Sequence, residues 1–246
     1  MTIKNNTRKL FAAPVFSGLM VLSTACIADT NIFACSFAQG AWNEKDWLMV
    51  RRPDWDHSGS WVQKNGFIEN QVPQYTHPEE LRGKLEQQTH ASMVYKEKVK
   101  PGITVSATVQ FAERMAPLIV LAGKIGEDTK GRKQYVEQYE IVLFDQGINI
   151  WFMKMETGVP FWRKVAYCRF PLIKDTKYML EVSINEIIRP DNNIREKLLI
   201  VKVDGKQEFA YLDSSLPGEF YVGITGCEGV NRFYDFAVQK ISKAKK

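Results

Sequence analysis

The sequence predicts an all-β protein, a two-sheet antiparallel jelly-roll sandwich with few short helices, and three observations support this prediction. The segments "WVQKNGFIEN" and "LLIVKVDGKQEFAYL" place Asn65-Gly66 and Asp204-Gly205 between apolar runs, as in type I′ hairpins. Segments such as "ITVSATVQFA" and "YMLEVSI" are rich in the residues that strands prefer. Helix signals are confined to "HPEELRGKLEQQ", where a proline and two glutamates suit the first of one or two turns.

A third hairpin is predicted for "YEIVLFDQGINIWFM", with its turn near Gln146-Gly147. Several predicted strands, such as "PLIVLAG", have apolar residues at both odd and even positions. Because alternate residues of a strand face opposite sides, such strands are covered on both faces or line a concave surface. Two polar stretches, residues 123–134 and 185–197, are predicted to be loops.

Residues 1–28 are predicted to be an export signal that is removed from the folded domain. Three basic residues precede an apolar run over residues 10–22, and small residues follow it, as in secretory signals. Cleavage before Cys26 would leave a lipid on that residue as the only link to a membrane. The alternative is ordinary cleavage after Ala25 or Ala28. The protein is therefore predicted to be exported: periplasmic, an outer-membrane lipoprotein of a bacterium, or secreted.

Residues 29–246 are predicted to form a single β-sandwich domain, since they contain no linker, repeat or low-complexity segment. The whole chain has 33 basic and 28 acidic residues and a net charge of +5. Removing the signal leaves 30 basic and 28 acidic residues, a net charge of +2. Because the basicity belongs largely to the export signal, a nucleic-acid partner is not predicted.

The order of segments along the chain carries a family resemblance. "WVQKNGFI" is followed by "YMLEVSI", "LIVKVDGK" and the closing "YVGITGCEGVNRFYDFAV". Over about residues 42–241, this order resembles the concanavalin-A-like (laminin-G-like) lectin and glucanase sandwiches of exported bacterial proteins. One branch of that superfamily is the 3-keto-disaccharide hydrolase domain. The resemblance implies a fold rather than a reaction. Because many members bind or cleave carbohydrate, it also implies an oligo- or polysaccharide partner.

The chain departs from the enzymes of that superfamily in its acidic residues. Laminarinase-type hydrolases carry E-x-D-x-x-E on one strand, and the nearest string here is "EQYE", which lacks the central aspartate. Glu137 and Glu140 face opposite sides of a regular strand because they are three residues apart. They are therefore not expected to form a retaining pair, whose carboxyls lie about 5 Å apart.

The loop-like stretch "PDWDHSGS" before the first hairpin is one candidate binding site. Trp55 is predicted to offer its flat ring to a sugar, with His57 hydrogen-bonding to hydroxyl groups. The alternative is that Trp55 closes one end of the sandwich while its neighbours are solvated. Trp61, in the strand that follows, is predicted to be structural because it pairs with Asn70 across the turn.

The hairpin over residues 139–155 is a second candidate, and its register decides which side chains meet. A two-residue turn at Gln146-Gly147 predicts that Val142 lies opposite Trp151 and that Glu140 lies opposite Met153. A three-residue turn would move Trp151 to the other face of the sheet. The sequence "DQG" is compatible with both turns.

With the two-residue turn, Glu140, Asn149 and Trp151 share one face, and this set suits recognition of a polyol. The indole would stack on a sugar ring, while the carboxylate and amide would bind hydroxyl groups. Glu140 is also the candidate general acid or base. Trp162 is predicted to line the same cleft.

The resemblance further implies a structural calcium ion in some relatives, near the last strand, and Asp235 matches that position. Calcium needs six to eight oxygen ligands, and the sequence does not supply a full set. The alternative is that Asp235 forms an exposed pair with Arg232. The three histidines are too far apart in sequence for zinc-ligand spacing, and no other cofactor is predicted.

Three functions are compatible with these observations. The first is an exported carbohydrate-binding module or accessory protein of glycan uptake. The second is a glycoside hydrolase of the 3-keto-disaccharide type with Glu140 as acid or base. The third is a structural envelope protein that has kept the sandwich and lost the site. A groove with polar groups on the sheet favours the first two, and a face filled by large apolar side chains favours the third.

Overall fold

The computed structural model describes residues 31–73, 86–112, 115–190 and 193–241. The predicted export signal and the lipid attachment predicted at Cys26 lie outside these ranges. In chain order the described elements are β1 (Asn31–Ser36), a 3-10 turn (Glu44–Asp46), β2 (Trp47–Met49), β3 (Trp61–Lys64), β4 (Phe67–Asn70), α1 (Glu86–Thr89), β5 (Ala91–Tyr95), β6 (Ile103–Phe111), β7 (Met115–Glu127), β8 (Lys133–Phe144), β9 (Gly147–Glu156), β10 (Val159–Arg169), β11 (Tyr178–Ile188), β12 (Arg195–Val203), β13 (Lys206–Asp213), β14 (Tyr221–Gly226), β15 (Asn231–Phe233) and β16 (Asp235–Lys240).

These strands form two sheets. The first sheet has nine strands in the order β13-β12-β11-β6-β15-β4-β3, with β16 and β1 as a branch beside β6. The second sheet has seven strands in the order β10-β9-β8-β7-β14-β5-β2. All pairings between these strands are antiparallel. The arrangement confirms the predicted all-β sandwich.

The first sheet branches at Tyr234, between β15 and β16. β15 pairs with the end of β6, and β16 pairs with its start. At the break the Tyr234 N–H donates to the Thr108 carbonyl, and the Asp235 carboxylate accepts the Thr108 N–H at 2.8 Å. The Asp235 side chain thus takes the place of a main-chain acceptor and satisfies a backbone group that the branch would otherwise leave unpaired.

Two hairpins turn at the predicted residues, but only the second has the predicted type I′ conformation, because Gly66 has a positive φ of 91° and Asn65 does not have a positive φ. The residues Asn65-Gly66 join β3 to β4, and Asp204-Gly205 join β12 to β13. In the second turn Asp204 and Gly205 have φ values of 50° and 76°. Both lie in the left-handed region, as a type I′ turn requires, and this turn matches the twist of the paired strands.

The third hairpin turns one residue earlier than predicted. Phe144 pairs with Gly147, so the turn consists of Asp145-Gln146. Gly147 has a φ of 142°, and a Cβ at this position would lie 2.0 Å from the carbonyl oxygen of Cys168. Glycine is therefore required because β10 approaches the backbone closely here, and the turn itself lies before it.

The two predicted loops are largely strand. β7 continues to Glu127 and β8 begins at Lys133, which leaves only residues 128–132 as the connection. β11 ends at Ile188 and β12 begins at Arg195. The polar residues of these stretches belong to long hairpins in which most side chains are exposed or half-buried.

The predicted helical segment is described only at its end, where α1 forms a single turn. The residues before α1 lie outside the described ranges. Among the described residues, no helix has the length and apolar character needed to cross a membrane. The described chain thus carries little helix, in agreement with the composition of its predicted segments.

The main core lies between the two sheets. Large side chains such as Phe111, Phe220 and Phe236 are fully buried there, and each contributes about 1.5–3 kcal/mol by leaving water. Trp61 is also buried and packs edge-on against Phe233, with ring centroids 5.4 Å apart. Trp61 pairs with Asn70 as predicted, which confirms its structural role.

The second sheet is also covered on its outer face. Val94, Val120 and Met153 point away from the main core and are fully buried in a smaller apolar cluster. This is the pattern expected of strands with apolar residues at both parities. The cover extends over only part of the sheet, and the remaining outer face forms a groove.

Candidate functional site

The groove lies on the outer face of the second sheet, over strands β7–β10, and has a volume of about 550 Å³. Cross-strand pairing arranges the side chains of this face in three rows, each running from β7 to β10. The rows are Leu118, Val142, Asn149 and Tyr167; then Val120, Glu140, Trp151 and Lys164; then Ala122, Gln138, Met153 and Trp162.

The strand register brings Glu140, Asn149 and Trp151 together as predicted, but their cross-strand partners differ from the prediction. Glu140 lies directly opposite Trp151, and Asn149 lies opposite Val142. The predicted pairs Val142 with Trp151 and Glu140 with Met153 are wrong, because the turn is one residue earlier. The error shifts the register by two residues, so every side chain keeps its face. Glu140, Asn149 and Trp151 therefore share the groove as predicted.

Glu140 is a buried carboxyl group at the centre of the groove, with only 6% of its surface exposed. The Gln138 amide donates to its Oε1 at 2.8 Å. Burial raises the pKa of Glu140 above its ordinary value, and the nearby charge of Arg52 opposes this shift. The protonated form is therefore favoured to a higher pH than in a surface glutamate, which suits a hydrogen-bond donor or a general acid.

Three buried polar atoms of this face have no hydrogen-bond partner among the described residues. They are Gln138 Oε1, Asn149 Oδ1 and Trp162 Nε1. A buried polar atom without a partner costs about 1–3 kcal/mol, so a ligand that supplies the partners recovers that free energy. Asn149 and Trp162 line the groove, so a ligand there meets one acceptor and one donor, and a hydroxyl group can pair with either.

The wall of the groove at β9 and β10 is aromatic. Trp151 and Tyr167 both line it, and Tyr167 is 47% exposed. Phe144 extends the surface, with its ring 6.2 Å from that of Tyr167. Such half-exposed rings offer flat apolar area beside the polar centre, as sugar stacking requires.

Arg52 closes the other end of the groove. Its guanidinium lies between two indole rings, 3.9 Å from the centroid of Trp55 and 4.1 Å from that of Trp162. Asp54 binds the same group in a bidentate manner, through Nε at 3.1 Å and Nη2 at 2.9 Å. Burial alone would lower the pKa of Arg52, but its hydrogen bonds to the Asp54 carboxylate raise it. Arg52 is thus held as a rigid cation.

Trp162 lines the groove as predicted, whereas Trp55, which was predicted to offer its ring to a sugar, does not. Arg52 covers one face of each indole. Trp55 lies behind Arg52 and makes an edge contact with the buried ring of His90 at 5.4 Å. His57 lines a separate pocket of about 420 Å³, so the structure does not bring it to Glu140.

The loop over residues 51–60 carries Arg52 and Trp55. Ion pairs hold this loop against the connection between β7 and β8. Asp56 accepts from Lys130 at 2.9 Å and from Arg132 at 2.5 Å, and Arg132 also binds Asp128 at 2.7 Å. At the base of the loop, Arg51 forms an ion pair with Asp128 at 3.3 Å and donates to the carbonyl of Trp55. The network fixes the closed end of the groove.

The ion pairs of Asp56 make the loop acid-sensitive. Hydrogen bonds from Lys130 and Arg132 lower the pKa of Asp56 to about 2, against about 3.9 in an unfolded chain. A lowered folded-state pKa stabilises above the unfolded value, and this stabilisation is lost as pH falls through the folded value. We expect Asp56→Asn to be less stable than the parent protein at about pH 5 and equally stable below about pH 2.

Chemical unfolding across this pH range measures that difference. Glu219→Gln is the control for the loss of one surface charge, since Glu219 forms its ion pair with the exposed Lys100. A difference between Asp56→Asn and the parent that stays constant from pH 5 to pH 2 would contradict the assignment.

The residues around Asp235 do not fit a calcium ion. Its carboxylate accepts the Thr108 N–H within the first sheet. The predicted alternative is also wrong, because Arg232 pairs with Glu69 at 3.3 Å and Asp175 at 3.6 Å. In the part of the chain that the structure describes, no group of three or more histidine, cysteine or acidic residues is arranged to hold a metal.

Sequence reasoning missed several residues of the site, among them Arg52, Lys164 and Tyr167, which line the groove, and Gln138, which donates to Glu140. Gln138 and Lys164 follow from strand alternation, since they lie two residues from Glu140 and Trp162. Tyr167 does not, because a bulge between Lys164 and Ala166 reverses the alternation. Arg52 lies in a loop, and only the folded chain brings it to Trp162.

No protein-family model matches the sequence, and no curated protein matches it. Among solved structures, the chain is similar to a Bacillus subtilis protein of unknown function with a galectin-like fold (TM-score 0.56, 12% identity, 86% of this chain and 96% of that chain). It is also similar to the kappa-carrageenase of Pseudoalteromonas carrageenovora in complex with an oligotetrasaccharide (0.54, 10%, 90% and 99%). A third is a legume lectin-like domain from Entamoeba histolytica (0.53, 14%, 84% and 97%).

The fold is that of the concanavalin-A-like lectins and glucanases. The concanavalin-A-like part of the resemblance drawn from the sequence is thereby confirmed. At identities of 14% or less, the comparison concerns the fold and not the ligand. What this concanavalin-A-like sandwich binds has to be argued from its groove.

Proposed function

We propose that this protein binds an oligo- or polysaccharide in the groove over β7–β10, as an exported carbohydrate-binding module or an accessory protein of glycan uptake. One observation carries the proposal: the buried, unpartnered Oδ1 of Asn149 and Nε1 of Trp162 belong to residues that line the groove beside the aromatic wall of Trp151 and Tyr167. Sugars present hydroxyl groups and an apolar ring face in the same molecule, so they match both parts. This groove argues against the third function, a structural envelope protein that has lost its binding site.

The similar structures support carbohydrate as the general class of ligand. They include a legume lectin-like domain and a kappa-carrageenase in complex with an oligotetrasaccharide. The cell-envelope location rests on the predicted export signal, with Cys26 as the proposed lipid attachment. A glycan array probed with residues 29–246 tests the proposal, followed by titration calorimetry on the strongest hits. Failure of every glycan to bind at millimolar concentration would refute it.

A second candidate function is glycoside hydrolysis, of the 3-keto-disaccharide type. The burial of Glu140 and its raised pKa favour it, because a protonated carboxyl in a groove is suited to act as a general acid. Glu228 also lines the groove and would be the second acid. Product analysis on every glycan that binds separates this function from simple binding.

If the protein is a hydrolase, we expect Glu140→Gln to reduce turnover by about 100-fold or more, since general acid catalysis supplies about that factor. Its affinity for the intact glycan should change by less than about threefold, because glutamine keeps the shape and hydrogen bonds of the carboxyl group. Glu137→Gln, on the opposite face of the same strand, is the matched control. Equal loss of turnover in both variants would remove Glu140 from the mechanism.

A further inference from the structure

The β9–β10 hairpin, which forms one wall of the groove, is positively charged. It carries four basic residues and one acidic residue. Among the described residues, none forms an ion pair with any of the four basic side chains, which are Lys154, Arg163, Lys164 and Arg169. Lys164 and Arg169 lie on the groove face of the hairpin, and Lys154 and Arg163 lie on the other face. Uncompensated charge of one sign beside a groove attracts ligands of the other sign.

Lys164 brings this charge into the groove. Its ammonium lies 5.6 Å from the centroid of Trp151 and 5.4 Å from that of Tyr167. The side chain is exposed and lines the groove together with both rings. A sugar stacked on Trp151 or Tyr167 would therefore lie next to an ammonium group that has no anionic partner in the described chain.

Arg52 provides a second cation at the closed end of the same groove. Asp54 occupies its Nε and Nη2, and Nη1 has no hydrogen-bond partner among the described residues. The two indoles and the carboxylate hold the guanidinium in place, so binding through Nη1 orders no further side chain. Arg52 covers Trp162, which lies two residues before Lys164 on one face of β10, roughly 6.6 Å along the strand.

The acids of the groove do not cancel this charge. Glu140 is buried, and burial favours its neutral form. Glu228 lines the groove on the side of β14, and three strands, β7, β8 and β9, separate β14 from β10. The exposed rim at β10 thus remains cationic, while the interior offers neutral hydrogen-bonding groups.

From these observations we infer that the groove selects glycans that carry negatively charged substituents, either carboxylate or sulfate. Lys164 is the specificity-determining residue, and Arg52 is the second anion contact. The inference rests on the proposed function and narrows it. An anionic sugar would stack on Trp151 or Tyr167 and place its charged group against Lys164, with its hydroxyls toward Asn149.

Matched pairs of oligosaccharides test this inference in the unmodified protein. One pair is tetragalacturonate and its methyl ester, which probes a carboxylate. The other is a sulfated neutral tetrasaccharide and its desulfated form, which probes a sulfate ester. We expect the charged member of at least one pair to bind about tenfold more tightly or better, as for hydrogen bonds between charged groups. The preference should weaken when NaCl is raised from about 0.05 M to about 0.5 M.

Lys164→Gln should reduce that preference to less than about threefold while changing the affinity for the neutral member by less than about twofold. Arg163→Gln is the matched control, because Arg163 is the adjacent residue and points to the other face of β10. It should keep the full preference. Thermal melting shows whether each variant is folded.

Three results would overturn the inference: equal binding of charged and neutral members, equal effects of the two variants, or equally tight binding of a single-stranded oligonucleotide of the same charge. Binding of neutral oligosaccharides alone would leave the proposed function standing and refute only the selectivity. Failure of every oligosaccharide to bind would refute the proposed function itself.

Discussion

Replacing Asn70 with alanine is expected to lower the free energy of unfolding by about 3–5 kcal/mol, because a buried side chain that makes three hydrogen bonds is removed. Asn70 is 1% exposed. Its amide nitrogen donates to the carbonyls of Thr89 at 2.6 Å and Gly229 at 2.8 Å, and its Oδ1 accepts the Asn231 N–H at 2.7 Å. The variant removes one donor from each of the Thr89 and Gly229 carbonyls and the acceptor of the Asn231 N–H, while the Gly229 carbonyl keeps the Asn231 amide at 3.0 Å.

The expected loss of unfolding free energy is large because Asn70 connects the two sheets. It lies at the end of β4 in the first sheet, and its partners precede β5 in the second sheet and connect β14 to β15. Gln207→Ala on the exposed strand β13 is the control, with an expected change below about 0.5 kcal/mol. Chemical denaturation at neutral pH measures both. A loss of less than about 1 kcal/mol for Asn70→Ala would contradict its role as a joint between the sheets.

Replacing Trp151 with alanine is expected to weaken glycan binding by about tenfold to a hundredfold, as for aromatic residues at the centre of a binding site. Trp151 lies directly opposite Glu140 and forms the aromatic wall next to the buried polar groups. Its removal takes away the stacking surface and leaves the hydrogen-bonding groups in place. Titration calorimetry with the tightest glycan measures the change.

Two further variants make this prediction specific to the groove. Trp151→Phe keeps a ring at the same position and should lose less than about fivefold in affinity. Phe161→Ala removes an aromatic side chain that is 50% exposed on the opposite face of β10, and it should leave affinity unchanged. Unchanged affinity in Trp151→Ala would exclude the aromatic wall from binding.

The fold was predictable because its turns carry strong local signals. Asn65-Gly66 and Asp204-Gly205 each specify a two-residue hairpin, and the apolar runs on either side have few ways to pair. Runs such as "PLIVLAG", with apolar residues at both odd and even positions, predicted strands that are covered on both faces or line a concave surface, and β7 is covered on both faces. The turn ends of the β7–β8 and β11–β12 hairpins, residues 123–134 and 185–197, were predicted as loops, because their exposed polar residues resemble loop residues.

Gly147 shows why the register of the central hairpin was missed. A glycine after a polar residue suggests a turn, and the sequence placed it there. In the structure Gly147 makes room for the carbonyl of Cys168, a residue more than 20 positions away in sequence. A glycine that is required by a neighbouring strand cannot be recognised from the residues next to it in the sequence. The face assignment held because the register moved by two residues, the period of a strand.

The candidate site was predictable only where strand alternation controls it. Glu140, Asn149 and Trp151 lie on one face for that reason. The closed end of the groove depends on tertiary contacts instead: Arg52 reaches Trp162 from a loop, and a bulge turns Tyr167 into the groove. These contacts also place His57 outside the site, although it lies close to Arg52 in sequence.

The most direct test of the central claim is a crystal structure of residues 29–246 with the tightest-binding oligosaccharide from the array. The account predicts a sugar ring stacked on Trp151 or Tyr167, with hydroxyl groups within hydrogen-bonding distance of Asn149 and Glu140. A sugar bound on the first sheet, or in the pocket of His57, with the groove over β7–β10 empty, would contradict it.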